Sequence, residues 1–304
     1  MSTPRSIDLP QGAKRITLHT ARGDFAAVEA MPATGVCERY PALLVPGFTG
    51  SKEDFLPILR QLAAPGRRVV AIDLRGQYET PGTHDRDSYR LAEQGADVGA
   101  IAARLLDDGT GSATTAGLHL LGHSFGGLVA RETVLAKAAD ICSLTLMSSG
   151  PGKLSTPAAD VLSAILEPLR GLAGKQLAAQ VRRLWELQLA QQAAADGTPP
   201  DIIDFLGRRM LRSNPDGLAA VAEQLLSCPD RTAELAAAAH LPTLVLYGEY
   251  EDKWETPVLE KMAERLRAQR VCIPGATHSP AVEAPETTAS ALNAFWNAAE
   301  AAHR

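Results

Sequence analysis

The stretch LHLLGHSFGG, residues 118–127, decides the fold. Residues 118–121 form an apolar run typical of a buried strand, and an apolar helical pattern follows the glycines. Between them, Gly122, Ser124 and Gly126 match the pattern GxSxG. A sharp turn from strand to helix lifts the serine hydroxyl out at the carboxyl edge of a sheet and crowds the backbone two residues to either side, where glycine is needed. The stretch therefore predicts a strand–turn–helix unit that presents Ser124 as a nucleophile.

The alternation of strand and helix continues on both sides of this unit. Short apolar runs at residues 42–45, 69–72, 118–121, 144–147, 243–247 and 270–273 predict strands, and amphipathic patterns at 55–63, 91–106 and 128–138 predict helices. This spacing is typical of parallel βαβ units. The early runs 15–19 and 25–29 predict an antiparallel hairpin. Because the later strands are apolar throughout, we expect a mostly parallel central sheet covered by helices on both faces.

Residues 151–240 interrupt the alternation with helical signals alone. Prolines that typically begin helices stand at Pro157, Pro200 and Pro215. We predict an α/β core formed by residues 1–150 and 241–304, and an all-helical cap formed by residues 151–240. The aromatic residues Trp185 and Phe205 are expected to lie on the apolar underside of this cap, above the site. The alternative is a cap that merely completes the core.

Composition and charge exclude several classes of protein. A chain of 304 residues with 45% hydrophobic side chains is long and apolar enough to bury a large core, and its net charge of -5 argues against nucleic-acid and anionic-membrane partners. No apolar run reaches the length of about 18 residues that a bilayer requires. The first 15 residues lack the apolar region of a secretory signal, which favours a cytoplasmic protein. The four cysteines are far apart in sequence, so we predict free thiols and no metal site.

A serine nucleophile needs a base in hydrogen-bond reach and an acid that orients this base. His278 lies in the loop GATHSP, residues 275–280, after the last predicted strand, so we expect its imidazole at the same sheet edge as Ser124. The acidic turn 249–252 follows the strand 243–247 and gives the chain order serine, acid, histidine. We therefore predict that one carboxylate of this turn orients His278.

With these pieces the chain resembles the α/β-hydrolase superfamily with a helical cap. The motifs that carry the resemblance are PGFTG at 46–50, DLRG at 73–76, GHSFGG at 122–127, the acidic turn and GATHSP. The resemblance implies the α/β-hydrolase fold and a catalytic triad. It also implies an oxyanion hole made by the backbone amides of Phe48 and Phe125, whose hydrogen bonds would stabilise the developing negative charge.

The resemblance leaves two candidates for the acid of the triad. In this family the acid commonly sits three residues after the glycine that ends its strand, and that position is Glu251. Aspartate fills the role more often than glutamate, and Asp252 comes next. The two side chains lie on opposite sides of an extended backbone. Asp252 is the favoured acid, with Glu251 as the alternative.

The type of nucleophile indicates the reaction. A serine at the turn implies an acyl-enzyme, whereas relatives with dehalogenase or epoxide hydrolase activity carry aspartate there. We expect hydrolysis of a small-molecule carboxylic ester, thioester or lactone, without a cofactor. The alternatives are a cofactor-free haloperoxidase or perhydrolase, a carbon–carbon bond hydrolase on the same triad, and a noncatalytic ligand-binding member of the fold. The oligomeric state stays open.

Overall fold

The computed structural model of the chain describes residues 2–107, 117–238 and 241–302. Its strands are β1 (Ala13–Thr20), β2 (Gly23–Ala30), β3 (Ala42–Val45), β4 (Val69–Ile72), β5 (Leu118–His123), β6 (Ile141–Met147), β7 (Thr243–Gly248) and β8 (Gln269–Ile273). Its α-helices are α1 (Leu56–Ala63), α2 (Leu91–Asp107), α3 (Phe125–Leu135), α4 (Thr156–Leu166), α5 (Gly174–Leu184), α6 (Ala190–Ala195), α7 (Pro200–Arg212), α8 (Pro215–Ser227), α9 (Thr232–Ala238), α10 (Thr256–Leu266), α11 (Pro280–Glu283) and α12 (Pro285–Ala302).

The strands of the described residues form one sheet in the order β1-β2-β4-β3-β5-β6-β7-β8. β2 pairs antiparallel with β1 and β4, and every pair from β4 to β8 is parallel. The predicted hairpin and the predicted parallel units are both present. Because parallel strands end at the same edge of a sheet, the loops that follow β3, β5, β7 and β8 meet there, and they carry the predicted site.

Helices cover both faces of the sheet. Along β3, Leu43 and Val45 belong to the apolar core that includes α2 and α3, whereas Leu44 belongs to the core that includes α1 and α12. Alternate residues of a strand point to opposite faces, so one short strand contributes to both layers. All three side chains are inaccessible to solvent. Their burial stabilises the fold by about 25 cal/mol for each Å² of apolar surface removed from water.

A buried ion pair fastens α12 beneath the sheet. Arg67, directly before β4, donates from Nη2 to Oε1 of Glu300 at 2.6 Å, and its guanidinium lies 5.2 Å from the ring centroid of Trp296. The same carboxylate oxygen lies 3.0 Å from Nε2 of His119 in β5. Burial by itself would raise the pKa of Glu300, but the hydrogen bonds with His119 and Arg67 outweigh it and lower the pKa to about 2. Glu300 is therefore a carboxylate at neutral pH.

Every regular element in the described part of the segment between β6 and β7 is helical, with α4 to α9 as its main elements. Ala239 and His240, at the end of the predicted cap, lie outside the described residues. α7 and α8 rest on the loop that follows β4. The backbone amide of Asn214, between the two helices, donates to the carbonyl of Gly76 at 2.7 Å. The side chain of Gln224 in α8 donates to the carbonyl of Tyr89 at 2.8 Å. The helical segment is thus fastened to the core at this loop.

Trp185 and Phe205 are both buried in this helical segment. A Cβ on Gly207 would lie 2.8 Å from Nε1 of Trp185, so the indole packs directly on the backbone of α7. The ring of Phe205 meets the ring of Tyr78 edge to face, with centroids 5.8 Å apart. Trp185 therefore packs within the helical segment, and Phe205 packs against the loop after β4. No helix within the described ranges combines the length and the apolar character that crossing a membrane demands.

Candidate active site

Ser124 stands alone between the end of β5 and the start of α3. Its backbone has φ +53° and ψ −122°, a region that residues with a Cβ seldom adopt. The turn is fixed by two backbone hydrogen bonds, because the Ser124 amide donates to the carbonyl of Met147 at 2.9 Å and the Gly127 amide donates to the carbonyl of Ser124 at 2.9 Å. Such strained residues persist where the surroundings determine their conformation, and they cluster at functional sites.

The two glycines of the GxSxG pattern lie where no side chain fits. A Cβ on Gly122 would lie 2.2 Å from the carbonyl oxygen of Gly126, and a Cβ on Gly126 would lie 2.4 Å from that of Val45. Both obstacles are backbone atoms, which cannot rotate away as a flexible side chain could. The crowding predicted from the sequence is therefore observed at both positions, and it explains why the turn needs glycine on each side of Ser124.

His278 reaches Ser124 from the loop between β8 and α11. Its Nε2 lies 2.9 Å from Oγ of Ser124, within hydrogen-bond distance. The residues on either side of His278 are held by Glu283 of α11, which accepts hydrogen bonds from the Thr277 amide and, at 3.2 Å, from the Ser279 amide. The structure thus brings together the predicted nucleophile and the predicted base, although they are 154 positions apart.

The carboxylate beside His278 is that of Glu251, and the prediction of Asp252 as the acid is wrong for this contact. Oε1 of Glu251 lies 2.7 Å from Nδ1 of His278, and it also accepts from the Lys253 amide at 2.9 Å. The Asp252 carboxylate is 59% exposed and pairs with Nζ of Lys253 at 2.7 Å. Glu251 therefore makes the hydrogen bond to the imidazole, and the Asp252 carboxylate stays exposed beside Lys253.

Electrostatics favours the charged form of Glu251. Burial alone would raise the pKa of this carboxyl, but the hydrogen bond and the charge interaction with His278 outweigh burial and hold the pKa below its usual value. A carboxylate at this position accepts a hydrogen bond from the N–H group at Nδ1 of His278. Nε2 is then left as the nitrogen that can receive a proton from Ser124.

The loop after β3 lies directly against the nucleophile. A Cβ on Gly47 would lie 2.9 Å from Cβ of Ser124, so the backbone that leads into Phe48 passes beside the serine. Nε2 of Gln77 donates to the Gly47 carbonyl at 2.9 Å and holds this loop in place. Within the described parts of the chain, the amides of Phe48 and Phe125 donate to no other protein group. Neither amide is thus engaged by another described group of the protein.

Three residues near the site were not predicted from the sequence. Gln77 supports the loop after β3, and His123 contacts the backbone of His278. Trp254 is inaccessible to solvent, its Nε1 donates to the carbonyl of Lys153 at 3.0 Å, and its ring centroid lies 6.2 Å from that of His278. Trp254 lies two positions after the acidic turn, and this proximity in sequence could have indicated that it lies near the site. Gln77 carries no comparable signal, because its role depends on contacts between distant segments.

One group of side chains has the composition of a metal site. Glu251, Asp252 and His278 bring one ligand-type atom each to within 4.8 Å of one another. Both ring nitrogens of His278 already face partners, since Nδ1 meets Glu251 and Nε2 meets Ser124. Glu251, His278 and Ser124 therefore form a hydrogen-bonded relay, in which the nitrogens of His278 are not available to a cation.

The family of the chain follows from comparison with known proteins. The model of the alpha/beta hydrolase family matches residues 42–291, which include every residue of the relay. The chain therefore belongs to the alpha/beta hydrolase family, a family of hydrolases. The resemblance seen in the sequence motifs is confirmed, and so is the predicted fold of a mostly parallel sheet flanked by helices.

Individual relatives differ in how much of the chain they match. RutD of Variovorax paradoxus (strain S110), a proposed carbamate hydrolase, is 33% identical over 135 residues, which are 44% of this chain and 47% of RutD. The chain thus spans about half the length of that relative. An esterase from Thermogutta terrifontis has a similar structure, with a TM-score of 0.68 at 23% identity, covering 94% of this chain and 99% of the esterase. The enol-lactonase from Burkholderia xenovorans LB400 has a TM-score of 0.72 at 16% identity, covering 93% of this chain and 100% of the lactonase. These structural likenesses show a common fold.

Proposed function

We propose that the protein is a serine hydrolase that cleaves carboxylic esters, thioesters or lactones through an acyl-enzyme. The observation that carries the proposal is the unbroken relay from Glu251 through His278 to Ser124, with contacts of 2.7 and 2.9 Å. A serine hydroxyl is a weak nucleophile by itself and becomes effective beside an oriented base. The relay supplies both the base and the carboxylate that orients it.

In the first half of the reaction, Nε2 of His278 takes the proton of the Ser124 hydroxyl while Oγ attacks the carbonyl carbon of the substrate. The carbonyl oxygen becomes an oxyanion, which the amides of Phe48 and Phe125 stabilise by hydrogen bonding. When the oxyanion collapses, the bond to the leaving group breaks. The proton on Nε2 then passes to the departing alcohol or thiol, and the acyl group stays on Oγ.

In the second half of the reaction, water replaces the leaving group. His278 takes a proton from the water molecule, whose oxygen attacks the acyl carbon. Collapse of the second oxyanion breaks the bond to Oγ, and Ser124 recovers its proton from Nε2. The carboxylate of Glu251 stabilises the imidazolium in each half and holds the ring in the tautomer that the reaction needs. A lactone follows the same steps, with both products joined in one molecule.

We further propose that residues 151–240 act as a cap above this site. The supporting contact is a buried ion pair between Nη1 of Arg209 in α7 and Oδ1 of Asp54, at 2.7 Å. Asp54 packs on the loop after β3, since a Cβ on Gly50 would lie 2.5 Å from its Oδ2. The helical segment is thereby joined to the part of the core that carries the proposed oxyanion hole.

A fluorophosphonate probe tests the serine directly, because it reacts only with a serine whose base is in place. We expect the wild-type protein to be labelled and Ser124→Ala to stay unlabelled. A panel of acyl esters, thioesters, lactones and aryl carbamates then defines the bond that is cleaved, carbamates being included because of the activity proposed for RutD. Perhydrolysis of acetate with hydrogen peroxide tests the alternative reaction. An unlabelled wild-type protein that cleaves no member of the panel would refute the proposed function.

A further inference from the structure

His123 makes a second contact between β5, the strand that leads to Ser124, and the loop that carries His278. It is the last residue of β5, next to Ser124, and its side chain is buried. Nε2 of His123 lies 2.8 Å from the backbone carbonyl oxygen of His278. The two imidazole rings are neighbours, with centroids 5.1 Å apart and planes inclined at 48°. The proposed function assigns His123 no role.

The partner of Nε2 determines where the proton of His123 lies. A carbonyl oxygen can only accept, so Nε2 must carry the hydrogen and donate it. Burial, with a smaller contribution from the nearby His278, lowers the pKa of His123 to about 3. The ring is therefore neutral at the pH values at which proteins are assayed, with its one proton on Nε2. It can donate this hydrogen bond without placing a positive charge beside the base.

This hydrogen bond links the chain segments of Ser124 and His278 a second time, in addition to the contact between their side chains. Ser124 follows His123 directly in the backbone, His123 holds the carbonyl of His278, and the ring of His278 returns to Ser124. Movement of the His278 backbone away from β5 would lengthen the distance between Nε2 and Oγ by a similar amount. Displacements of about 1 Å can reduce the rate of an enzymatic reaction about a hundredfold.

We propose that His123 is a positioning residue, whose hydrogen bond to the His278 carbonyl sets the distance between the base and the nucleophile. The proposal rests on the proposed function, because it concerns the geometry of that same relay. His123 does not touch the reacting atoms and exchanges no proton during the reaction. Its contribution is to hold the base loop against the strand that ends at Ser124.

Two substitutions of matched size test the hydrogen bond apart from the packing. Gln has a nitrogen donor at nearly the same distance from the backbone as Nε2 of histidine, and Met has a similar length without a donor. We expect His123→Met to lower kcat on an acyl ester by about ten- to a hundredfold, with KM changed less than about threefold. The rate of labelling by the fluorophosphonate should fall in parallel. His123→Gln should keep kcat within about fivefold of the wild-type value.

The outcomes separate this proposal from the proposed function. If the Met and Gln variants lose activity equally, His123 is only a packing residue and the positioning role is refuted, while labelling of the wild type still supports the hydrolase. If the Met variant does not fold, nitrogen-15 NMR of the histidines in the wild-type protein decides the question. A neutral ring protonated at Nε2 from about pH 5 to 8 supports the proposal, and an Nδ1-protonated or doubly protonated His123 overturns it.

Discussion

Glu251 and Asp252 are consecutive residues whose carboxylates lie in opposite environments. The side chain of Glu251 is inaccessible to solvent and contacts the imidazole of His278 at 2.7 Å, whereas the side chain of Asp252 is 59% exposed beside Lys253. The longer side chain of glutamate reaches the histidine from the position three residues after Gly248. The chain thus contains a natural pair of acids for comparison, one facing the base and one facing solvent.

Substitution of each acid by its amide should have very different effects. Glu251→Gln replaces the carboxylate with a neutral amide, which carries no charge to stabilise the imidazolium and can present an N–H to Nδ1 of His278, so we expect kcat/KM on an acyl ester to fall by about a hundredfold or more. Asp252→Asn removes only a surface ion pair, which contributes about 0 to 1 kcal/mol, and activity should stay within about threefold. Steady-state kinetics of the two variants measures the ranking. A larger loss in Asp252→Asn would return the role to that residue.

Ser124→Ala should abolish hydrolysis and fluorophosphonate labelling while the protein stays folded. Triad serines typically account for factors well above a thousand in kcat, so residual activity above about a hundredth of the wild-type rate would contradict the assignment. Circular dichroism and thermal unfolding establish that the fold is kept. Ser227→Ala is a matched control, since this exposed serine ends α8 and its hydroxyl bonds only locally, to the carbonyl of Glu223.

Trp185→Ala should destabilise the helical segment more than it changes substrate preference. The indole is buried against the backbone of Gly207, and loss of a buried aromatic side chain typically lowers the free energy of unfolding by about 3 to 5 kcal/mol. Chemical denaturation measures this change. A series of straight-chain acyl esters then tests the role in the site, and we expect kcat/KM to fall about equally at every chain length. A selective loss for long chains would instead place Trp185 in the acyl pocket.

Glu300→Gln should destabilise the protein in a way that depends on pH. Arg67 would lose its negatively charged partner while staying buried, and breaking such a pair typically destabilises by about 3 to 5 kcal/mol. The folded-state pKa of Glu300 is about 2, below its usual value of 4.5, so the carboxylate contributes its full stability above pH 4.5 and loses it as the pH falls towards 2.

Thermal unfolding of wild type and Glu300→Gln between pH 2 and 7 measures this dependence. The difference in Tm should be largest above pH 4.5 and should shrink below it. Glu264→Gln in α10 is the control, because this carboxylate is exposed and the substitution should leave the wild-type pH dependence unchanged. A difference that is constant over the whole range would show that the charge of Glu300 does not contribute to stability.

Most of the fold could be predicted from the sequence because its signals are local. Continuous apolar runs mark the parallel strands, and the glycines around Ser124 reflect backbone atoms within 2.5 Å of where a Cβ would lie. His278 could be predicted because it follows the last strand in a loop. The choice between Glu251 and Asp252 could not be predicted, because it depends on which side of a turn faces His278. The role of His123 needed the three-dimensional structure, because its partner is the backbone of a residue 155 positions away.

The left-handed backbone of Ser124 has a consequence for engineering. A non-glycine residue in such a conformation typically costs about 1 to 3 kcal/mol of folding free energy, and glycine adopts positive φ angles readily. Ser124→Gly should therefore unfold at a higher temperature than the wild type although it has no nucleophile. A library screened only for heat tolerance would enrich this inactive variant. Selection for thermostability and selection for turnover oppose each other at residue 124, so a directed-evolution scheme has to score both.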